Sequence, residues 1–214
     1  MGAVFCEILH FMDDARSVRS FARLTVDHMD RLAELARHDD LKFRQRFPDW
    51  STLLAVCLVQ GGARHYVHED RGVKDLDVYL FYAIPEGKNG GAFPWNRGGA
   101  TRNEDFGPSE LGRQLYTDAD REDPQLARKI RHWDTFSGRR VDIMSRAIAP
   151  HCDGSRAAVT SWLVEGVRNS AAKRTAWHLS RTPVISLTTD PGEVWWRGPD
   201  IDEAGIEKGL YRLP

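Results

Sequence analysis

Asp75 and Asp77 stand two residues apart, separated by Leu76 and followed by Val78. On a strand, residues two apart point to the same side. The pair therefore presents two carboxylates on one face. Asp142, between Val141 and Ile143, opens the same possibility on a later strand. If the two strands are neighbours, three carboxylates meet. Such a cluster repels itself unless a cation sits among them. Oxygen donors of this kind suit Mg²⁺ or Mn²⁺ held together with substrate phosphates.

Upstream, the apolar run Leu53–Val59 leads through Gln60 into Gly61-Gly62, and residues 63 to 74 separate the glycines from Asp75. Glycine lets backbone N–H groups approach a phosphate closely, and a helix start beyond it favours the anion. Two metal ions in this setting activate an attacking hydroxyl and stabilise departing pyrophosphate. Arg64 and Lys74, with His65, flank the motif as further triphosphate contacts. The plainer alternative makes them solvated surface charges, and the aspartates ordinary edge-strand acids.

The order of an apolar strand, Gly61-Gly62, Asp75-Leu-Asp77 and Asp142 resembles the nucleotidyltransferase superfamily of the DNA polymerase β type. The resemblance covers roughly residues 50 to 145. It implies an α+β fold, a small mixed β-sheet flanked by helices. It also implies transfer of a nucleoside monophosphate from an NTP to an acceptor hydroxyl. Asp75, Asp77 and Asp142 would be the catalytic metal ligands, with Asp142 also drawing a proton from the acceptor. Gly61, Gly62, Arg64 and Lys74 would bind the nucleotide. The acceptor, whether RNA, protein or small molecule, is left open. Alternatives are a nucleotidyltransferase-fold binding module without catalysis, such as a toxin–antitoxin component with a protein partner, and a phosphohydrolase using the same acids.

The elements that must position these residues are legible in part. Residues 16 to 37 have the spacing of an amphipathic helix, with Val18, Phe21, Leu24, Leu32 and Leu35 on one face. Pro48-Asp49 breaks the chain. Leu53–Val59 fits a buried strand, followed by one or two helical turns. Asp75–Ala83 alternates like a strand with one buried face. Residues 85 to 124, rich in Gly, Pro, Asn and Asp, are expected as a long loop or insertion. A short helix over Pro124–Trp133 and a strand at Arg140–Met144 follow. A helix over Ser155–Lys173 is expected, capped by Asp153 or Ser155 and burying Val159, Trp162, Leu163 and Val167. Val184–Thr188 and Val194–Trp196 look β-like. The division expected is a catalytic domain over 1–150, with its N-terminal helix and insertion, and a helix-plus-strand extension over 151–214 packed on it.

Composition narrows the class. The 214 residues are 41% hydrophobic and 29% charged, with a net charge of −1. That supports a soluble protein with a real core and no global basic character. No run reaches the roughly 18 apolar residues that span a bilayer. The first residues lack the basic n-region of a secretion signal. Three scattered cysteines, Cys6, Cys57 and Cys152, fit reduced thiols in a cytoplasmic protein without membrane partners. His65-x-x-His68 with Glu69 and Asp70 lacks further zinc ligands at a fitting spacing. Asp118-x-Asp120-x-Glu122 fails as a calcium loop, having Asp123 where glycine is needed. Arg128, Lys129 and Arg131 form a basic cluster better read as a solvated face. Trp195-Trp196 could stack a base, but more readily closes a core.

Overall fold

The computed structural model describes residues 23–68, 73, 75–94, 100–102, 106, 122, 124 and 139–198. The fold is α+β, with helices against a mixed six-stranded sheet. The strands are β1 (Leu53–Val59), β2 (Asp75–Ala83), β3 (Ala100–Arg102), β4 (Arg140–Ile148), β5 (Val184–Ser186) and β6 (Val194–Trp196). Their spatial order is β3-β4-β2-β1-β5-β6. Among the described strands only β2 and β4 run parallel, and every other neighbouring pair is antiparallel. A parallel pair needs a long crossover, and here the chain between residues 84 and 139 supplies it.

Helix α1 (Val26–Arg46) covers one sheet face. It starts later and ends later than its sequence periodicity suggested; residues 16–22 lie outside the described residues. The start is fixed by Thr25, whose hydroxyl accepts from the His28 N–H while the His28 ring accepts from the Thr25 N–H. The helix continues past residue 37 because its inner face goes on being buried. Met29, Leu32, Ala33, Ala36 and Asp40 all point inward. Asp40 accepts a 3.0 Å hydrogen bond from Tyr82 Oη and pairs with Arg44 at 2.7 Å. Pro48 then enforces the stop, inside a 3₁₀ turn over Pro48–Trp50.

β1 and β2 have the bounds expected from sequence. The expectation of one buried face on β2 holds only at its start. From Val78 to Tyr82 every residue is buried. Val78, Leu80 and Tyr82 lie in the core under α1. Tyr79 and Phe81 lie in a second core under α3 (Ser155–Arg168), with Val159 and Leu163. Periodicity could not reveal that second cover, since it comes from a distant helix.

The strand expected at Arg140–Met144 extends to Ile148, paired along its length with β2. α3 ends at Arg168 rather than Lys173, and neither Asp153 nor Ser155 caps it. The residue before its first turn is Gly154, at φ 95°, with no side-chain cap. Trp162 and Val167 are half-buried, not core. A further short helix, α4 (Arg174–Ser180), was not anticipated. It packs so tightly on α3 that a Cβ on Gly166 would lie 2.5 Å from the Ala176 backbone. The C-terminal segment also gives β5 to the shared sheet, paired with β1 through Leu58 and Ile185. Within 85–124, the described parts are 85–94, with a 3₁₀ turn at Gly90–Ala92, then β3, Phe106, Glu122 and Pro124. The expected helix beyond Pro124, with Arg128, Lys129 and Arg131, lies outside the described residues, as do Asp118 and Asp120. Among the described residues no helix is long and apolar enough to cross a membrane.

Candidate functional site

The parallel pairing of β2 with β4 sets the register Asp75↔Arg140, Leu76↔Val141, Asp77↔Asp142. Partners in register point to the same face. Asp142 therefore stands beside Asp77, with Asp75 one step along the same row. Leu76, Val78, Val141 and Ile143, the intervening residues, point into the core on the opposite face. The three aspartates are half-buried, so their row is open enough for a ligand yet partly shielded.

β1 reaches the same end of the sheet. Its last residue, Val59, pairs with Asp77. Gln60 then turns the chain into α2 (Gln60–Val67) with φ 54°, a left-handed conformation that non-glycine residues rarely hold. The glycines differ in role. A Cβ on Gly61 would meet nothing within 4 Å. A Cβ on Gly62 would fall 2.9 Å from Leu58 Cδ1 and 3.1 Å from Leu76 Cδ2. Gly62 is thus buried against Leu58 and Leu76 where α2 packs on the sheet, and Gly61 is exposed.

Of the flanking cations, Arg64 is half-buried on α2, and Lys74 lies outside the described residues. His65 is only 2% exposed, which removes it from the set of surface triphosphate contacts. His68 sits at the C-terminal end of α2, while Glu69 and Asp70 lie outside the described residues. Trp195 donates to Glu193 Oε2 at 2.7 Å and Trp196 to the Ser180 carbonyl at 2.7 Å. Trp195 is buried in the second core. Both indoles are thus committed to internal hydrogen bonds.

One residue of the site escaped sequence reasoning. Arg140 precedes Asp142 by two positions and faces Asp75 across the pairing, so it joins the carboxylate row. It is 2% exposed. Burial lowers its pKa from the usual arginine range, while the negative charges of Asp142 and Asp75 act in the opposite direction. A protein cation thus already offsets part of the negative charge here. The signal was present in the sequence, as the period-2 alternation from Asp142 back to Arg140. Next to it, Arg139 is fully buried and its Nη1 donates to the Phe106 carbonyl at 3.2 Å.

Deeper along the row the chemistry changes. Tyr79 is buried, and Arg146 lies over its ring, 5.5 Å from the centroid. Burial raises the Tyr79 pKa, Arg146 lowers it and Asp77 raises it. Among the described residues, the set of three potential ligand side chains whose donor atoms gather within 4.8 Å is His151, Cys152 and Asp153. A divalent ion at the aspartates therefore requires their side chains to turn toward it.

No protein-family model, curated protein or solved structure matches the chain.

Proposed function

We propose that the protein is a Mg²⁺- or Mn²⁺-dependent nucleotidyltransferase that moves a nucleoside monophosphate from an NTP to an acceptor hydroxyl. One observation carries the reading: Asp77 and Asp142 are register partners on adjacent parallel strands, with Asp75 in the same row. The donor set is all oxygen, which fits a hard cation shared with phosphates. Asp75, Asp77 and Asp142 would hold the metal, and Asp142 would take the proton of the acceptor hydroxyl. The backbone N–H groups of Gly61 and Gly62, at the start of α2, would meet the phosphates, with Arg64 and Lys74 adding charge. The acceptor belongs to the classes RNA, protein or small molecule. The resemblance of the Gly61-Gly62, Asp75-Leu-Asp77, Asp142 order to the polymerase β superfamily supports the same reading.

The test is transfer of label from each α-labelled NTP, with Mg²⁺, to total RNA, to protein and to the chain itself. Wild type is expected to transfer label, and Asp77→Ala and Asp142→Ala to lose transfer. Equal behaviour of wild type and both variants, in transfer and in Mg²⁺–NTP binding, removes the proposal.

A second reading, a nucleotidyltransferase-fold binding module without catalysis, is favoured by Arg140. Its guanidinium offsets charge that would otherwise call for a metal. Calorimetric titration separates the two. Nucleotide binding that needs Mg²⁺ supports the enzyme, and binding indifferent to Mg²⁺ supports the module.

A further inference from the structure

We propose a second, separate metal site in the turn between β4 and α3, where His151, Cys152 and Asp153 take one Zn²⁺. Six residues of extended chain separate Asp142 from Ile148 on β4, about 20 Å at strand rise. The turn is therefore at the far end of the strand from the aspartate row and does not depend on the nucleotidyltransferase reading.

The three donors are already mutually close. Cys152 Sγ lies 3.8 Å from His151 Nδ1 and 3.7 Å from Asp153 Oδ1. His151 Nδ1 lies 3.5 Å from Asp153 Oδ2. Zinc bonds of about 2.3 Å to sulfur and about 2.1 Å to nitrogen or oxygen give tetrahedral edges of about 3.4 to 3.6 Å. The observed separations run from near those edges to a few tenths of an ångström longer, and the two to Asp153 involve different oxygens, so the Asp153 carboxylate must rotate to bring one oxygen against both partners. Thiolate, imidazole and carboxylate together select a borderline ion over Mg²⁺. The backbone supports the arrangement. Gly154 N–H donates to the His151 carbonyl at 3.1 Å, and Gly154 adopts φ 95° where a side chain would be strained.

Two contacts oppose the ion, the first being the hydrogen bond that Cys152 Sγ donates to Asp153 Oδ1, whose proton must leave on metal binding. In the second, His151 Nδ1 accepts the Asp153 N–H at 3.2 Å, and a metal on that nitrogen must displace it. The bond is exposed, so its loss costs about 1 kcal/mol or less. With all three residues at the surface, the fourth coordination position faces water, which is the pattern of a reactive rather than a closed structural zinc.

The test uses the full chain under reducing conditions. Zn²⁺ affinity is measured by competition with a chromophoric chelator, and Co²⁺ is added as a spectroscopic probe for a thiolate–metal charge-transfer band. Wild type is expected to bind one equivalent and to show the band. Cys152→Ser should abolish the band and weaken Zn²⁺ binding by at least about 10-fold, and Asp153→Asn should also weaken it. Asp77→Ala should leave both signals unchanged, which separates this site from the aspartate row. Circular dichroism checks that the surface variants fold. Equal Zn²⁺ affinity in wild type and Cys152→Ser, or a thiolate band that survives in Cys152→Ser, overturns the proposal.

Discussion

β2 carries two different surfaces on one face. Its first positions there are Asp75 and Asp77, half-buried and acidic; its next are Tyr79 and Phe81, buried and aromatic. The strand is the same and the alternation is unbroken. The difference lies in the cover. Packed on the aromatic half, α3 sets Trp162 edge-on to Phe81 at 5.5 Å. Burying a charge is costly without compensation, and burying an aromatic ring is favourable. So the carboxylates are held where the cover ends, and Arg140 is the described charge that joins them. A buried aromatic surface and a half-buried acidic one are thereby divided along a single strand.

The largest expected effect tests that division directly. Phe81→Ala should lower unfolding free energy by about 3–5 kcal/mol, whereas Asp77→Asn should change it by less than about 0.5 kcal/mol. Chemical denaturation measures both. A comparable loss in Asp77→Asn would mean that the aspartate row is structural. In the transfer assay the ranking should invert. Asp77→Asn should reduce transfer by about 100-fold or more, about 2.7 kcal/mol in barrier.

Removing the positive charge from the open half is the third case. Arg140→Gln should cost about 1–3 kcal/mol, because three carboxylates then face one another. Mg²⁺ should restore thermal stability in that variant more than it raises the wild-type midpoint. Equal Mg²⁺ responses would detach Arg140 from the row.

Alkali should act on the opposite face of β2, where Tyr82 lies in the core under α1. Burial raises the Tyr82 pKa, and Asp40 beside it raises it further. The folded pKa exceeds the unfolded value of about 10, so this stability is complete below about pH 10 and is lost as pH rises above it, by about 1.4 kcal/mol per pH unit. Stability against unfolding should therefore fall from pH 9 to 11, with a shallower slope in Tyr82→Phe. An equal slope in that variant would assign the loss to other groups. The smallest effect separates the glycines. Gly62→Ala should cost about 1 kcal/mol through Leu58 and Leu76. Gly61→Ala should leave stability equal or slightly higher but weaken NTP binding. Unchanged NTP affinity would remove Gly61 from the site.

Legibility followed the range of the interaction. Leu53–Val59 and Asp75–Ala83 were readable to the residue, because apolar runs and alternation are local signals. The bounds of α1 were not, since its start rests on a Thr25–His28 exchange and its extension on Asp40 meeting Tyr82. α4 was missed because its reason for forming is close packing on Gly166 of α3. Arg140 was visible as a residue but not as part of the row.

By itself, the sequence determined that Asp75 and Asp77 share a face, that glycines follow β1, and that an aspartate lies within a later apolar strand. These follow from backbone periodicity and turn chemistry within a few residues. The tertiary structure alone decided that β4 lies parallel to β2 in the register that puts Asp142 against Asp77 and Arg140 against Asp75. It also decided that Gly62 lies buried against Leu58 and Leu76 while Gly61 is exposed. Strand pairing across residues 84–139 depends on which faces the helices cover, and no local signal encodes that choice.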